Sequence, residues 1–492
     1  MSNNCVNKIR DACLNKESVV KEQVVKLFRE SLAQNINPVS ELDALLKLPE
    51  LNGYLDVKAA LINEVVIIQE DDTVNGIKTL LDLGLLYRDN ELFDQAEQLF
   101  LLLINNSPGN IHPFHCLITV YIRMRRYHDA VACCQLALEI NAASLTAHYN
   151  LGVAQLALNN LEQAFNSFKN TIELDPDNQW AHINLAHLML MLGHFDMGWQ
   201  HYEWRKAFYE KKSNDLALVY PPWQGEDLNG KHLLIWAEQG LGDIIMFSSL
   251  INRVLEQGCE LSVLAELRLK SLFIRSFPLK HFYPLIITED QQQHHKIDYQ
   301  LPFSGLGSHT IHTFEDFGDG SSYFEADKAK AKKFREFLST KYAGKRLIGF
   351  SWRGGITETR KYARNIPLDQ WQPLISRDDC LFINLQYDST AEEDSVVEAM
   401  GGINPNFDRR DDIEGLAAYL KALDLLISVD NSTVHLAGAL GTPVWNLLPF
   451  AGEWRWFLEP EQCYWYQSMC LFRQREVDNW TGSLKAVASA LT

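Results

Sequence analysis

The sequence lacks the features that mark secreted, membrane-spanning and nucleic-acid-binding proteins. No apolar run approaches the roughly 20 residues that cross a bilayer, and the segment from Met1 to Glu17 has no apolar core of the secretory type. Basic residues do not occur in runs longer than two. The chain has 45 lysines and arginines against 63 aspartates and glutamates, a net charge of −18. An acidic surface of this kind argues against nucleic acid and anionic membranes as partners.

The cysteines give no pattern for a disulfide framework or a zinc site. Nine are present, none forms a C-x-x-C pair, and only Cys133 and Cys134 are adjacent. Scattered thiols of this kind are typical of a reduced protein, so we expect a cytoplasmic location. The run Gln291–His295 is interpreted as a solvated loop, because two adjacent histidines without further ligands make a poor metal site.

A 34-residue period runs through the N-terminal part of the chain. Four sets of residues recur at that step: Leu83, Leu117, Leu151 and Leu185; Gly84, Ile118, Gly152 and Ala186; Ala96, Ala130, Ala164 and Gly198; Phe100, Cys134, Phe168 and Tyr202. Small residues where two helices cross, with an aromatic residue on the second helix, are the tetratricopeptide pattern. We predict three clear units and a fourth that begins at Gln179 and departs from the pattern toward its end.

Tetratricopeptide arrays bury their own core and expose a concave groove, which usually takes a peptide or protein segment. Tyr121, Asn150 and Asn184 are our candidates for the face that would bind an acceptor protein. The alternative is that the groove only packs against the next domain. The pair Pro221-Pro222 forbids helix, so we place the boundary between the repeats and the next domain near residue 220.

The stretch from Asp424 to Pro449 reads as strand, helix and strand. Leu425–Val429 is a short apolar run typical of a buried parallel strand, and the polar residues after it are of the types that cap a helix. A helix that begins at the carboxyl end of a parallel strand offers free N–H groups to an anion. His435, on the first turn, could contact the same ligand. The alternative is an ordinary βαβ corner in which His435 bonds a neighbouring carbonyl group.

A second strand-to-helix turn occurs earlier in the chain, at Gly240, Gly242 and Asp243. The glycines permit a tight turn with exposed N–H groups, but Ile245 replaces the third glycine of the dinucleotide fingerprint, which disfavours an NAD site. At the mouth of a first βα turn the Asp243 carboxylate can act as a general base. The alternative is an acidic residue that only interacts favourably with the helix dipole.

Polar residues also follow two strands in the last third of the chain. The strand from Arg346 to Phe350 leads into Trp352 and Arg353, and a later strand leads into Gln386. Arginine offers a bidentate fork to phosphate, so we predict phosphate or base recognition here, with Gln386 at the rim for the base. The alternative is a solvated loop. Further cations follow in that loop: Arg360, Lys361 and Arg364.

The run from Asp430 to Ala437, closing with Gly441-Thr442-Pro443, resembles the D-[TS]-[GS]-x-x-H-L-A…G-x-P signature of the ADP-heptose heptosyltransferase-like glycosyltransferases. Asn431 and Ser432 stand where that family more often has Thr and Gly. The resemblance implies a two-half, B-type glycosyltransferase fold in which this segment holds the diphosphate or sugar of a nucleotide-sugar donor.

The same resemblance implies roles for the other motifs. The G-x-G-D turn matches the family's first loop, which makes Asp243 the implied general base. Arg353 matches the cation that neutralises the donor diphosphate, with Lys361 and Arg364 as alternatives. The donor-binding residues that we predict are Gly240, Gly242, Trp352, Arg353, Gln386, Asp430, Asn431, Ser432, Thr433 and His435.

The whole layout is similar to that of O-GlcNAc protein transferases and bacterial flagellin glycosyltransferases. We therefore expect N-terminal helices in residues 1–75, an α-helical tetratricopeptide superhelix in 76–215, and an α/β double-Rossmann (GT-B type) glycosyltransferase domain. Its first half, 220–343, would take the acceptor side. Its second half, 344–492, would take the nucleotide-sugar side.

The implied function is transfer of a sugar from a nucleotide-sugar to a serine or threonine of a protein recruited by the repeats, with flagellin as the first candidate. No D-x-D metal motif ends a strand, so we expect metal-independent transfer without a cofactor, with helix N-termini and arginine neutralising charge. Two alternatives stay open. One is a non-catalytic tetratricopeptide scaffold with a degenerate transferase domain, and the other is a nucleotide-sugar epimerase or hydrolase of the same fold.

Overall fold

The computed structural model describes residues 20–32, 75–206, 220–285, 296–354, 363–459 and 462–491, with the single positions 42, 45, 57, 60 and 61. The chain divides into two compact units, Met1–Asn178 and Gln179–Thr492. The predicted loop Gln291–His295 and the predicted cations Arg360 and Lys361 lie outside the described residues, as does most of the segment 1–75 that we expected to be helical.

The described part of the first unit is helical. It contains helix α1 (Val20–Leu32) and, from Asn75 onward, three consecutive helix pairs. The pairs are α2 (Asn75–Asp89) with α3 (Phe93–Asn106), α4 (Ile111–Arg123) with α5 (Tyr127–Ile140), and α6 (Leu145–Ala157) with α7 (Leu161–Leu174). The turn inside each pair holds one residue in the left-handed region: Glu91 (φ 62°), Arg125 (φ 62°) and Asn159 (φ 59°). These three residues are 34 positions apart, so the backbone conformation repeats with the same period as the sequence.

The predicted contact between small and aromatic positions is present in two of these pairs. A Cβ atom built on Gly84 would lie 2.4 Å from Cε1 of Phe100, and one built on Gly152 would lie 2.6 Å from Cε1 of Phe168. Both aromatic rings are fully buried. Glycine is needed at each crossing because a methyl group would occupy the space of the ring.

The described cysteines are free thiols, and the adjacent pair Cys133 and Cys134 is buried in the helical array. Burial raises the pKa of the Cys133 thiol to about 12, so it stays protonated and behaves as a small apolar side chain. None of the described helices is both long and apolar enough to cross a membrane.

The second unit begins with a fourth helix pair, well before the predicted boundary near residue 220. Helices α8 (Gln179–Met191) and α9 (Phe195–Tyr202) are joined by a turn in which Gly193 has φ 78°, one further repeat step along the chain. Helix α8 contacts the 3₁₀ turn Trp454–Trp456, and α9 contacts the helix Gly305–Thr310. The fourth predicted repeat therefore belongs to the α/β unit, because its apolar residues pack there.

The first α/β half is a parallel sheet in the order β3–β2–β1–β4. Its strands are β1 (His232–Trp236), β2 (Glu260–Ala265), β3 (Leu279–Pro284) and β4 (Tyr299–Pro302). Its helices are α10 (Leu241–Ser248), α11 (Ile251–Leu255), α12 (Lys270–Ser276) and α13 (Gly305–Thr310). Every residue of β1 is buried, as expected for a strand inside a parallel sheet. The order of the strands reverses beside β1.

The second α/β half is also a parallel sheet, in the order β6–β5–β7–β8–β9. Its strands are β5 (Arg346–Ser351), β6 (Cys380–Asn384), β7 (Leu425–Val429), β8 (Val444–Leu448) and β9 (Met469–Arg473). Its helices are α14 (Lys328–Lys341), α15 (Leu368–Ile375), α16 (Ala391–Ala399), α17 (Ile413–Ala422), α18 (Ser432–Ala439) and α19 (Thr481–Ala490). The strand–helix–strand segment predicted between Asp424 and Pro449 is β7, α18 and β8.

The close crossing of α6 and α7 predicts that replacing a helical glycine by alanine destabilises the protein, the opposite of the usual effect. In a helix interior, replacing glycine by alanine normally stabilises by about 1 kcal/mol, because glycine is the poorer helix former. For Gly152→Ala we expect the free energy of unfolding to fall instead, by about 1–3 kcal/mol, because the new methyl group meets the ring of Phe168. Denaturant unfolding followed by circular dichroism measures the change.

Gly109→Ala is the control for this variant, since nothing lies within 4 Å of a Cβ atom built at Gly109. If Gly152→Ala were no less stable than Gly109→Ala, the close crossing of α6 and α7 would be contradicted.

Candidate functional site

A cleft of about 580 Å³ lies between the two α/β halves of the second unit. The first half contributes the loop after β1 and the first turn of α10, from Gly240 to Asp243. The second half contributes the loop after β7 and the first turn of α18, from Asp430 to His435. The order of the first sheet reverses beside β1, and that of the second reverses beside β5, to which β7 is paired. Open α/β sheets bind ligands at such places. The structure thus brings the two predicted turn motifs to one cavity.

The first turns of α10 and α18 approach each other closely at this cleft. A Cβ atom built on Gly242 would lie 3.0 Å from Cδ2 of His435 and 3.6 Å from Cα of Ser432. A side chain at position 242 would therefore be in tight contact with the first turn of α18. Because the first N–H groups of an α-helix have no partner within the helix, an anion in this cleft can meet N–H donors from both sides.

Five charged side chains form a continuous chain of ion pairs along the cleft: Asp243, Arg455, Glu453, Arg364 and Asp430. The Arg455 guanidinium donates to Oδ1 of Asp243 through Nη2 and through Nε, the latter at 3.1 Å, and to Glu453 through Nη1. Nη1 of Arg364 lies 3.3 Å from Oδ2 of Asp430 and 3.5 Å from Oε1 of Glu453. The Asp243–Arg455 pair joins the first half to the second.

The two arginines in this series of ion pairs, Arg364 and Arg455, are largely removed from water. Their side chains are 14% exposed at Arg455 and 15% exposed at Arg364. Burial lowers the pKa of each guanidinium, but the neighbouring carboxylates outweigh burial and hold both pKa values above the usual range. Both groups therefore stay charged. Cations that have already lost water can form strong charge-assisted hydrogen bonds to a phosphate.

Three further arginines, Arg268, Arg409 and Arg410, line the cleft. Nη1 of Arg268, on the first half, donates to the carbonyl oxygen of Arg410, on the second half, at 2.7 Å. Arg409 is held by Asp394 at 3.1 Å. Glu266 also lines the cleft and is paired with Arg268 at 2.5 Å. The lining further includes residues with an apolar or aromatic side chain: Leu241, Ile245, Tyr387, Ile413, Leu416 and Leu436. The cleft is thus rich in cations although the whole chain is acidic.

Asn431, which departs from the family pattern, ties the start of α18 to the loop after β5. Its Oδ1 accepts from the N–H of Thr433 at 2.9 Å, which caps the helix. Its Nδ2 donates to Oγ of Ser351 at 2.8 Å and to the carbonyl oxygen of Arg353 at 3.2 Å. Ser432, the next residue, is half-buried and lines the cleft.

His435 is a buried, neutral ring at the back of the cleft. Its Nδ1 is 2.9 Å from the hydroxyl of Tyr466, and its ring stacks on Trp456 with centroids 5.1 Å apart. Burial lowers the pKa of His435 to about 4, against the opposing charge of Asp430. A neutral imidazole cannot supply a positive charge to a phosphate at neutral pH. Its observed contacts are those of a residue that fixes the first turn of α18.

Three of the predicted donor-binding residues, Trp352, Arg353 and Gln386, are not among the residues that line the cleft. Trp352 is buried in the core of the second half. Oε1 of Gln386 accepts from the N–H groups of Trp352 at 3.0 Å and Arg353 at 2.9 Å, so it braces the loop after β5. The guanidinium of Arg353 is paired with Glu393 at 2.6 Å and Asp388 at 3.1 Å.

Among the described residues of this loop, the cation that lines the cleft is Arg364, which the sequence offered as an alternative to Arg353. The reason is local charge. Acidic residues at the start of α16 and just before it hold Arg353, whereas Asp430 and Glu453 hold Arg364 in the cleft. Sequence spacing alone did not distinguish the two.

Sequence reasoning missed Glu453 and Arg455, which lie in the loop after β8. There the run Glu453–Trp456 alternates charged and aromatic residues; Trp454 and Trp456 are buried, and Glu453 and Arg455 line the cleft. This alternation, directly after a buried strand, is a signal that could have identified them.

The three predicted acceptor-binding residues have different surroundings. Tyr121 is buried, and its hydroxyl donates to Oε1 of Glu97 at 3.0 Å. Asn150 and Asn184 are half-buried, and each donates from Nδ2 to the carbonyl oxygen four residues earlier, at 2.9 Å and 3.0 Å. The same local contact thus recurs at equivalent repeat positions. Acceptor binding by these residues stays a prediction.

The second unit contains another cavity, of about 640 Å³, between α9 and the first α/β half. Its lining includes neither the Gly240–Asp243 turn nor the first turn of α18. Within the described residues, no group of three His, Cys, Asp or Glu side chains is placed to hold a metal ion. Metal-independent chemistry stays a prediction.

Comparisons with known proteins identify the repeat. The family model of the tetratricopeptide repeat matches residues 145–178, the α6–α7 pair. Protein FlbA of Caulobacter vibrioides is 27% identical over 365 residues, which are 70% of this chain and 61% of that protein. The chain therefore spans less than two thirds of that relative's length.

Two solved structures resemble parts of the chain. A glycosyl transferase family 9 protein from Veillonella parvula is 13% identical, with a TM-score of 0.37, over 54% of this chain and 90% of that one. MamA is 19% identical, with a TM-score of 0.28, over 33% of this chain and 92% of that one.

The buried His435 predicts a pH dependence of stability. Its pKa is about 4 in the folded chain and about 6.5 when exposed to water. Between about pH 6.5 and about pH 4, the His435 imidazole is protonated in the unfolded chain but stays neutral in the folded chain. This ring therefore lowers the free energy of unfolding by up to about 1.4 kcal/mol per pH unit over that window.

Urea unfolding at a series of pH values should show a shallower loss for His435→Gln than for the unchanged chain between pH 6.5 and 4. The control is His128→Gln, at an exposed position of α5. Parallel pH profiles for the unchanged chain and His435→Gln would contradict a ring that is held neutral.

Proposed function

We propose that this protein transfers a sugar from a nucleotide-sugar donor to a hydroxyl group of a protein acceptor. The observation that supports this most is the arrangement across the cleft. A carboxylate on one half, Asp243, faces a helix N-terminus and two desolvated arginines, Arg364 and Arg455, on the other half. A phosphate leaving group needs positive charge and N–H donors, and an acceptor hydroxyl needs a base.

In the proposed reaction the acceptor oxygen forms a bond to the anomeric carbon of the sugar, and the bond from that carbon to the donor phosphate breaks. The acceptor proton passes to Asp243, and the bonding electrons leave with the nucleotide. Arg364 and the N–H groups at the start of α18 stabilise the negative charge that develops on the phosphate. Gly240 and Gly242 add no side chain to the opposite wall of the cleft at their own positions.

Arg455 links the two ends of this reaction. Its guanidinium is bound to Asp243, so a donor phosphate in the cleft competes with Asp243 for it. A phosphate that draws Arg455 toward itself frees a lone pair of Asp243 to accept the acceptor proton. Base activation would then depend on the donor being present, which limits wasteful reaction with water.

The other predicted residues of the α18 segment support the donor site in distinct ways. Asp430 holds Arg364, Asn431 caps the helix through the N–H of Thr433, and His435 packs behind its first turn. Ser432 faces the cleft, and its hydroxyl and the adjacent N–H groups are the proposed direct contacts to the donor.

The protein acceptor is proposed from the repeats. Tetratricopeptide arrays bind peptide segments in their groove, and one such repeat is identified at residues 145–178. A serine or threonine of a recruited protein is the proposed target. Flagellin, or another surface protein of the host, is the first candidate, because the layout resembles that of flagellin glycosyltransferases.

A non-catalytic scaffold with a degenerate transferase domain is the second candidate function. The observation that favours it is that Asp243, the proposed base, is bound to an arginine. An epimerase or hydrolase of the same fold is a third, and its activity would survive removal of acceptor proteins.

Asp243→Asn tests the proposed base. The amide has the shape of the carboxylate but cannot accept the proton, so we expect sugar transfer to fall at least about 100-fold while donor binding is retained. The measurement is transfer from a panel of nucleotide-sugars to host surface proteins, read as the intact-mass change of the acceptor. Calorimetry gives donor binding.

The matched control is Asp369→Asn. Asp369 is also an acidic residue in the first turn of a helix, α15, but it is exposed and does not line the cleft. Equal loss in both variants would support the helix-dipole role of Asp243 instead of catalysis. Donor binding without transfer to any host protein, even by the unchanged chain, would favour the scaffold.

Arg364→Met tests which cation holds the donor phosphates. We expect donor affinity to fall at least about tenfold, because a charge-assisted hydrogen bond to phosphate is lost and Asp430 is left unpaired. Arg377→Met is the control, since Arg377 is paired with Asp379 away from the cleft. A loss for Arg353→Met as large as that for Arg364→Met would contradict the placement of Arg364 as the donor cation.

A further inference from the structure

The last helical pair is built into the α/β unit through a buried tryptophan. Nε1 of Trp199, on α9, donates to the carbonyl oxygen of Ile311 at 2.8 Å. A Cβ atom on Gly307 would lie 2.6 Å from Cη2 of the indole, so the glycine makes room for it. The indole also meets the ring of Trp454 edge-on, with centroids 5.7 Å apart. Helix α9 therefore contacts both α/β halves.

Tyr202, one turn further along α9, touches both sides of the Asp243–Arg455 pair. Nε2 of Gln239 donates to its hydroxyl at 3.2 Å, and Gln239 directly precedes the N-cap of the helix that carries Asp243. Its ring meets that of Trp454 edge-on at 5.9 Å, and Trp454 directly precedes Arg455. The hydroxyl thus contacts the loop of the carboxylate, and the ring contacts the turn of the guanidinium.

The loop that carries Asp243 is fixed on its other side by the half-buried carboxylate of Glu238. Glu238 accepts from the N–H groups of Phe303 at 3.1 Å and Ser304 at 3.2 Å, and from Nε2 of Gln239 at 2.8 Å. Gln239 is therefore held between Glu238 and Tyr202, and the turn that follows it has little freedom.

Comparison with the earlier repeats indicates that packing of the helix pair does not require the hydroxyl of Tyr202. Phe100 and Phe168 occupy the same position in earlier repeats and are fully buried without a hydroxyl. A phenyl ring therefore satisfies the packing of a helix pair. At Tyr202 the added oxygen bonds Gln239 and also accepts from Nη1 of Arg205.

We propose that Tyr202 is a positioning residue that holds Asp243 and Arg455 in place across the cleft, its hydroxyl acting on the Asp243 loop and its ring on the Arg455 turn. The part that concerns transfer rests on the proposed function, whereas the part that concerns Arg455 does not. The last helical pair is then a component of the catalytic site in addition to being the end of the repeat pattern.

The test uses the full chain with two substitutions and two readouts. Tyr202→Phe keeps the ring and removes the hydroxyl, and Tyr202→Leu removes both. Inorganic pyrophosphate, measured by calorimetry, probes the cleft arginines without any need for transfer. The kcat and KM of sugar transfer probe the Asp243 loop.

For Tyr202→Phe we expect kcat to fall about three- to tenfold, the effect of one hydrogen bond, with KM and pyrophosphate affinity within about twofold of the unchanged chain. For Tyr202→Leu we expect kcat to fall further and pyrophosphate affinity to fall about three- to tenfold. In an Arg455→Met background Tyr202→Leu should weaken pyrophosphate binding no further, because residues that act through one another are not additive.

Met197→Ala is the control on the same helix, because Met197 is half exposed on the opposite face; it should change neither readout. If Tyr202 were only structural, both substitutions would lower the thermal midpoint of unfolding, without the expected difference between their effects on kcat and on pyrophosphate affinity. The proposal is overturned if Tyr202→Leu leaves pyrophosphate affinity intact while Arg455→Met weakens it, or if the two losses add.

The outcome also separates this proposal from the proposed function. Pyrophosphate binding with the expected coupling, but no transfer from any donor, would remove the transferase proposal and leave the positioning of Arg455 standing. An unchanged chain that does not bind pyrophosphate would overturn the donor site and the positioning proposal together.

Discussion

The ion pair between Asp243 and Arg455 is the interaction on which the rest of the site depends. It joins two parallel sheets, and Arg455 is in turn shared with Glu453, which is paired with Arg364 and through it with Asp430. Charges this far removed from water are tolerated only when each has a partner, and removing one typically costs about 3–5 kcal/mol because another is left uncompensated. The five groups therefore fix one another, and with them the width of the cleft.

Backbone geometry complements this charge network. Gly242 lets the two helix starts approach so closely that a Cβ atom there would lie 3.0 Å from the ring of His435, and this neutral ring fills the space behind them. Both helix starts line a cleft that is also lined by the Arg455 guanidinium. In the proposed reaction, a donor phosphate in this cleft would gain N–H donors and the Arg455 guanidinium, and it would release the Asp243 carboxylate. Donor binding and base activation would then be one event.

The helical repeat and the α/β unit share a sequence period but differ in what the period packs against. In the first unit Gly84 and Gly152 accommodate Phe100 and Phe168 within their own helix pairs. In the fourth pair the same step gives Ala186 and Tyr202. There, Trp199 and Tyr202 contact Trp454, Ile311 and Gln239 of the α/β unit. The last helix pair of a repeat pattern can thus be part of an α/β unit when its aromatic residues pack against residues of that unit.

The sequence by itself determined the features that depend on neighbours along the chain. The 34-residue period, the strand–helix–strand segment around α18 and the turn that carries Asp243 are local, because helix crossing, capping and strand burial follow from residues a few positions apart. Only the tertiary structure decided which charges meet. Asp243 and Arg455 are 212 positions apart, and acidic neighbours hold Arg353 outside the lining of the cleft while Arg364 lines it. Long-range pairing is set by the packing of the two sheets, and no local pattern records it.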